Sequence, residues 1–273
     1  MAVAPPVLRP RPRQEDRPVL SERDASVEAG VTDRTRLAPL LAVCGLCGGA
    51  GTSTLSYLLA RFAVRELDGH ILVCDTGGPT GGLAGCAHVE SPRSLTECAD
   101  QIARGLPLAG GFYAVDEPGS DPGRELRVVA TGPRFDLDDD PHGLQALLAL
   151  ARRGGTQSLV VVDCGTLQRA ADRLALRAAS HVAWTLPATR SGLRRAEDAL
   201  AAVPSDAAVR ELIVARREPK GAAAGLKALK ALAERRRAAL ALMPNVCDPS
   251  EDATRALRES QITLHAICGR LQR

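Results

Sequence analysis

The sequence has 273 residues, a hydrophobic fraction of 45% and a formal net charge of +3. This apolar content is enough for a packed core, and the net charge is far from the strongly basic balance of a dedicated nucleic-acid-binding protein. No apolar run approaches the roughly 20 residues that span a bilayer, so we expect no transmembrane segment. The eight cysteines lack the paired spacing of a disulfide framework and are typical of buried thiols in a reducing compartment. We therefore expect a cytoplasmic protein.

Residues 1–36 carry many prolines and arginines among mixed charges, without the periodicity of a helix or a strand. Such a composition cannot bury enough apolar surface to offset the entropy of folding. We therefore predict a disordered Pro/Arg-rich tail over residues 1–36 and a folded domain over residues 37–273.

In the rest of the chain, short β-branched or apolar runs alternate with alanine- and leucine-rich stretches of helical period. The predicted strands are Leu40–Cys44, Ile71–Cys74, Leu126–Ala130, Leu159–Asp163, His181–Leu186, Glu211–Val214 and Leu240–Met243. The predicted helices are Ser53–Leu67, Leu144–Arg152, Leu167–Ala179, Leu193–Ala202, Leu226–Arg237 and Thr254–Glu259. The segment Leu106–Glu125 is predicted to be a surface excursion. This alternation predicts a three-layer α/β fold, with a mostly parallel twisted sheet and helices on both faces.

A glycine-rich turn follows the first predicted strand and opens the first helix. Its glycines, Gly45, Gly48, Gly49 and Gly51, allow successive backbone N–H groups to point inward, and the helix dipole favours an anion there. In a phosphate-binding loop ending G-K-[ST], the lysine position falls on Thr52 and the magnesium-binding hydroxyl on Ser53. The alternative is a tight strand-to-helix connection that binds no ligand.

Two acids follow apolar strands and are expected at the ligand-binding edge of the sheet. Asp75 ends the strand Ile71–Cys74 before a glycine-rich stretch, and Asp163 ends the strand Leu159–Asp163. Together with Ser53, they are the predicted magnesium ligands if nucleotide binds. In isolation, Asp75 is equally compatible with a role as a helix or turn cap.

Taken in this order, these stretches resemble the deviant-Walker family of MinD, ParA and the pilus-locus proteins CpaE and TadZ, with CpaE and TadZ the nearest in pattern. The family loop K-G-G-x-G-K-[ST]-T falls on Cys47–Thr54, and the segment Leu240–Asn245 resembles the last strand, which precedes the adenine pocket. The resemblance implies a P-loop NTPase fold with ATP and Mg²⁺ as ligands. The implied nucleotide-binding residues are Gly45, Cys47, Gly48, Gly49, Ala50, Gly51, Thr52, Ser53, Thr54 and Pro244.

Three charged groups of the family are replaced in this chain. The two loop lysines are Cys47 and Thr52, and the second acid of the D-x-D pair is Gly77. Because phosphoryl transfer depends on positioning and charge stabilisation, these losses predict weak or no ATP hydrolysis. We assign no catalytic residue, and Asp75 is the sole candidate. The alternative is an active ATPase that takes a substitute cation from Arg190 or Arg194.

Two further features bear on ligands. Cys44 and Cys47 form a C-x-x-C, but this pair alone does not supply four ligands, and we expect no zinc. Basic residues also concentrate late in the chain, where they predict a solvated face or weak, non-specific DNA binding. They are Arg216, Arg217, Lys220, Lys227, Lys230 and Arg235–Arg237.

The resemblance implies a positioning or scaffold protein for a pilus, secretion or septum machine. It also implies a homodimer, or a heterodimer with an active paralogue, recruited to the membrane through partners rather than by a membrane span. A ParA-like partition protein that binds DNA is the remaining alternative.

Overall fold

The computed structural model describes residues 37–76, 82–89, 95, 97, 113–115, 124–130, 141–153, 157–204, 208–219 and 223–272. The predicted tail, residues 1–36, lies outside the described residues, as do Gly77 and Lys220. The domain boundary at residue 37 therefore stays a prediction.

Within the described residues, eight strands form one sheet in the order β3-β4-β2-β5-β1-β6-β7-β8. The strands are β1 Leu40–Gly45, β2 His70–Asp75, β3 Tyr113–Val115, β4 Leu126–Val129, β5 Gln157–Asp163, β6 His181–Pro187, β7 Arg210–Arg216 and β8 Ala239–Met243. All neighbouring pairs are parallel except β3 and β4, which run antiparallel at one edge. The carboxyl ends of the seven parallel strands therefore meet at one edge, where such sheets place their ligands.

Helices cover both faces of the sheet. They are α1 Thr52–Glu66, α2 Gly82–Cys86, α3 Pro141–Arg153, α4 Ala170–Ala178, α5 Arg190–Ala201, α6 Leu226–Arg235 and α7 Pro249–Leu271. One apolar core joins the sheet to α1, α2 and α7, and a second joins the other face to α3, α4, α5 and α6. The predicted three-layer α/β fold is confirmed.

Strand β1 shows why the sheet is buried on both faces. Leu41 and Val43 belong to the α1 core, whereas Leu40, Ala42 and Cys44 belong to the opposite core. All five side chains are fully buried. A continuous apolar run of this kind is typical of a central parallel strand with helices on both sides.

The structure departs from the predicted elements in three places. Strand β3 lies inside the predicted surface excursion, and the short helix α2 follows the glycine-rich stretch after Asp75. Helix α7 has 23 residues, far more than the predicted Thr254–Glu259, and contains a kink at Asp252 (φ −151°, ψ 84°).

Helix α7 extends because its apolar face packs into the α1 core, where Leu257, Leu264 and Ile267 are all buried. Tertiary burial of this kind overrides weak local helix propensity. Within the described ranges, no helix has the length and apolar character required to cross a membrane.

Candidate nucleotide-binding site

The glycine-rich turn is anchored between two strands adjacent to β1. Gly45 N donates to Gly165 O at 2.6 Å, and Leu46 N donates to Thr185 O at 2.9 Å. A Cβ built on Gly45 would lie 2.7 Å from Thr52 Oγ1 and 3.1 Å from Gly165 O. Only glycine fits here without movement of the loop, because these approaches are shorter than ordinary van der Waals contacts.

Two further glycines give the loop its curl. Gly49 (φ 71°) and Gly51 (φ 84°) have left-handed backbones, which favour glycine. Gly51 is also the N-cap of α1, and Leu55 N donates to its carbonyl at 2.9 Å. The loop therefore leads directly into the helix N-terminus, where backbone N–H groups and the helix dipole favour an anion.

Thr52, which occupies the lysine position, contacts Thr185 through its hydroxyl. Thr52 Oγ1 and Thr185 Oγ1 lie 3.3 Å apart, where either hydroxyl can donate, and Thr185 Oγ1 also lies 3.3 Å from Cys44 O. Thr52 is only 9% exposed. Its side chain thus fills space beneath the loop and presents no cation to an anion above it.

The two predicted acids lie side by side at the ends of β2 and β5. Asp75 and Asp163 are register partners on neighbouring strands and are 6% and 5% exposed. Ser53 forms a side-chain hydrogen bond with Asp163, and Gly165 N donates to Asp163 Oδ1 at 3.2 Å. Burial raises the pKa of Asp163, the bonds from Ser53 and Gly165 oppose this shift, and the negative charge of Asp172 adds to it.

Ser53, Asp75 and Asp163 are thus brought to one part of the site. Their hydroxyl and carboxylate oxygens are the hard donors that Mg²⁺ prefers, so the residues fit the predicted ion. Gly82, the first residue of α2, packs on Ser53, since a Cβ on Gly82 would lie 2.5 Å from Ser53 Oγ. Among the described residues, no group of three or more His, Cys, Asp or Glu side chains could hold a metal ion. The assignment of these three as magnesium ligands stays a prediction.

A third buried acid, Asp172, which the sequence does not predict as a site residue, supports the end of β2. Thr76 Oγ1 donates to Asp172 Oδ1, and Arg169 N donates to Asp172 Oδ2 at 2.9 Å. Arg169 Nη1 also donates to Thr76 O at 3.3 Å. Asp172 lies in the first turn of α4, where an acid three residues after the N-cap is a recognisable capping signal. This network holds the backbone that follows Asp75.

The side chain of Arg216 contacts the glycine loop, a contact that the sequence does not predict. Arg216 ends β7; its Nη2 donates to Gly49 O at 2.9 Å, and its Nη2 and Nε donate to Glu218 Oε1 at 2.7 and 3.0 Å. A Cβ on Gly51 would lie 3.2 Å from Arg216 Cδ. The sequence predicts Arg216 only as part of a basic surface cluster. The sequence feature that points to Arg216 as a site residue is its position at the carboxyl end of a parallel strand.

The arginines predicted as substitute cations, Arg190 and Arg194, are exposed on α5. The next residue, Arg195, instead lines a cavity of about 600 Å³ together with the loop residues Cys47 and Gly48 and with Gln168. Burial raises the pKa of the Cys47 thiol, while the positive charges of Arg195 and Arg216 lower it. Positive charge therefore reaches the loop from α5 and β7.

Pro244 follows β8, at the same carboxyl edge as the loop, and is half-buried. Beside it, Arg217 N donates to Met243 O at 2.9 Å, which ties the ends of β7 and β8 together. Its predicted role beside an adenine stays a prediction.

The C-x-x-C cysteines have different environments. Cys44 is fully buried in a core, whereas Cys47 is partly exposed on the loop. The neighbour of Cys44 is Cys164, on the adjoining strand end, and the hydrogen bond between the two thiols, together with burial, raises the pKa of Cys164. The thiols of Cys44 and Cys164 are therefore part of the core packing.

The basic surface is smaller than the sequence suggests. Arg236 pairs with Glu211 at 2.7 Å, and the two side chains are only 10% and 5% exposed. Arg235 pairs with Glu197 at 2.5 Å, while Lys227 and Lys230 are exposed on α6. Arg236 is therefore too buried to belong to the surface that the sequence predicts for weak DNA binding.

No protein-family model and no curated protein matches the sequence. Among solved structures, the chain is similar to a ParA family ATPase from Chlorobium tepidum (TM-score 0.60, 17% identity, 84% of this chain and 92% of that chain covered). It is also similar to the cell division ATPase MinD from Pyrococcus furiosus (TM-score 0.64, 14% identity, 86% and 100% covered). A third similar structure is the septum site-determining protein MinD from Pyrococcus horikoshii, complexed with Mg-ADP (TM-score 0.58, 14% identity, 85% and 92% covered). The chain thus has the P-loop NTPase fold of MinD and ParA proteins, and identities this low show the fold alone.

Proposed function

We propose that this chain is a MinD/ParA/CpaE-like positioning or scaffold protein for a pilus, secretion or septum machine, with weak or no ATP hydrolysis. It acts through its fold and its partners, as a homodimer or with an active paralogue. The similarity in fold to proteins named for septum site determination and cell division supports the positioning role.

The orientation of Thr52 carries the proposal of weak hydrolysis. Its hydroxyl lies within hydrogen-bond distance of Thr185 and the residue is only 9% exposed, so the lysine position offers no positive charge to a γ-phosphate. Cys47 removes the second family lysine. Since removal of a single preorganised donor costs roughly 3–4 kcal/mol of transition-state stabilisation, two missing lysines are enough to reduce turnover to background.

Phosphate release from ATP and Mg²⁺ tests this proposal in wild type, Thr52→Lys and Asp163→Asn. We expect the wild type to release phosphate no faster than Asp163→Asn. Thr52→Lys should tighten ATP binding without restoring turnover, because Cys47 and Gly77 are unchanged. Wild-type turnover that Asp163→Asn abolishes would contradict the proposal.

The positioning role has a separate test. A fluorescent fusion of the full chain, expressed in the organism that produces the protein, should concentrate at a fixed cellular position. A uniform distribution, unchanged when the fusion replaces the untagged chain, would contradict that role.

The second candidate is an ATPase that uses a substitute cation, and the contact between Arg216 and the loop favours it. In that case turnover persists in the wild type and is lost in Arg216→Ala. The same phosphate-release measurement separates the two candidates.

A further inference from the structure

A guanidinium is held at the edge of a loop whose two lysine positions are both neutral. Arg216 Nη2 donates to Gly49 O at 2.9 Å. Its Cδ and Nη1 would each lie 3.2 Å from a Cβ on Gly51, the residue that opens α1. The positive charge of Arg216 therefore lies beside the end of α1 that attracts anions.

The partner of Arg216 is an acid two residues further along the chain. Nε and Nη2 both donate to Glu218 Oε1, and the two side chains are 25% and 22% exposed. Guanidinium groups bind carboxylates and phosphates through the same fork of N–H groups. Glu218 thus occupies two donors of the kind that bind phosphate.

We propose that Arg216 is the phosphate-binding cation of this loop, in place of the missing lysines, and that Glu218 is an internal anion displaced by a polyphosphate ligand. The proposal rests on the proposed function in one respect, since it takes the loop to be a retained phosphate-binding loop. Without ligand, Glu218 neutralises Arg216. With ligand, the guanidinium changes partner from the carboxylate to phosphate oxygens, and no covalent bond changes.

The partial exposure of the pair makes this exchange feasible. A partly exposed ion pair is held weakly and is screened by salt, unlike a buried pair that is closed on all sides. The ligand must carry several charges, because it competes with a carboxylate tethered two residues away. A tri- or diphosphate chain meets this requirement better than a single phosphate.

Calorimetric titration of the full chain with tripolyphosphate, and separately with ATP and Mg²⁺, tests the proposal at low salt. Arg216→Ala should weaken binding by about tenfold or more, the loss expected when charge-assisted hydrogen bonds are removed. Glu218→Gln should tighten binding by about two- to fivefold, the range expected when a weak competing ion pair is removed. Tripolyphosphate isolates the phosphate contacts from any contribution of the adenine.

Arg217→Ala is the matched control, because it removes the same charge from the adjacent, exposed residue. It should change affinity by no more than about twofold, as expected of a screened surface charge. Arg216→Lys keeps the charge but loses the fork, so its affinity should fall between wild type and Arg216→Ala. Circular dichroism and thermal unfolding verify that each variant is folded, and Arg216→Lys provides the test if Arg216→Ala is not.

The proposal is overturned if Arg216→Ala and Arg217→Ala weaken binding equally. It is also overturned if neither wild type nor Glu218→Gln binds tripolyphosphate. These results are separate from failure of the proposed function, which is decided by turnover and cellular position. A protein that hydrolyses ATP yet loses tripolyphosphate binding in Arg216→Ala would overturn the proposed function and leave the role of Arg216 intact.

Discussion

Two arginine–glutamate pairs lie at opposite ends of strand β7, and they are built differently. Glu211, near the start of the strand, receives Arg236 through both carboxylate oxygens, at 2.7 and 2.9 Å, with side chains 10% and 5% exposed. Arg216, at the end of the strand, binds a single oxygen of Glu218, and these side chains are 25% and 22% exposed.

The two pairs also differ in their neighbouring groups. Trp184 Nε1 donates to Glu211 Oε2 at 2.9 Å, and Arg236 Nη1 donates to Val203 O at 2.7 Å. The first pair is therefore enclosed by partners from the fold. The second pair is instead adjacent to Gly49 O, a carbonyl of the glycine-rich loop. We infer that the first pair stabilises the fold and the second responds to ligand.

The largest expected effect is on stability at the enclosed pair. Arg236→Ala leaves the Glu211 carboxylate buried without its cation, which should lower the free energy of unfolding by about 3–5 kcal/mol. Arg216→Ala should lower it by at most about 1 kcal/mol, as for an exposed pair. Urea denaturation of both variants measures the difference, and similar losses would remove the distinction between the pairs.

The second-largest expected effect is on stability, when the loop glycine that Arg216 contacts is replaced. Gly51→Ala forces a side chain into a left-handed conformation (φ 84°), which should cost roughly 1–2 kcal/mol of stability. The new Cβ would also lie 3.2 Å from Arg216. Urea denaturation measures this loss, and it should be smaller when Gly51→Ala is made in an Arg216→Ala background.

Gly48→Ala is the control for this prediction, because a Cβ there meets nothing within 4 Å. Its effect should stay within about 0.5 kcal/mol, as for an ordinary surface substitution. Equal losses at Gly48 and Gly51 would contradict the expected cost of the left-handed backbone and the Arg216 contact at Gly51.

The parallel part of the sheet could be predicted from the sequence because its signals are local. The predicted bounds of all seven parallel strands lie within about two residues of the observed ends, since each strand is a β-branched or apolar run bounded by turn residues. Strand β3 and the full length of α7 could not be predicted. Both depend on contacts with distant elements, β4 for the strand and the α1 core for the helix.

The residues of the candidate site likewise fall into those that the sequence locates and those that only the fold brings together. The loop and the acids Asp75 and Asp163 lie in contiguous stretches with recognisable spacing, so the sequence alone locates them. Arg216 reaches the loop because β6 and β7 follow β1 in the sheet order, which no local pattern encodes. Asp172 likewise joins Thr76 through packing of α4. Residues contributed by separate elements require the fold before they can be assigned.

A smaller effect is expected from the pH dependence of stability at Asp163. Burial raises the pKa of Asp163 above the unfolded value of 3.8, so the native state holds the proton longer than the unfolded state. Its contribution to stability therefore falls as pH rises from 3.8 through the folded pKa. Asp163→Asn removes this penalty, so its stability relative to wild type should increase as pH rises from acidic to neutral.

Asp248 supplies a control of opposite sign. Hydrogen bonds from the Ser250 hydroxyl and backbone N–H lower the pKa of Asp248. Its contribution to stability is present above 3.8 and is lost as pH falls through the folded pKa. Asp248→Asn should therefore lose stability relative to wild type as pH rises. Urea denaturation across this range measures both slopes, and slopes of the same sign would contradict the assignment of Asp163.

The smallest expected effect is on the reactivity of Cys47, which reports the charges beside the loop. Burial raises the pKa of its thiol, Arg195 and Arg216 lower it, and Glu218 raises it. Because the thiolate is the nucleophile, Glu218→Gln should speed alkylation of Cys47 near neutral pH, and Arg195→Ala or Arg216→Ala should slow it, each by about two- to fivefold. Iodoacetamide labelling followed by mass spectrometry of the Cys47 peptide measures the rate, with Cys247 as the internal reference. Alkylation of Cys47 that is unchanged in Glu218→Gln would show that the Glu218 charge does not reach the loop.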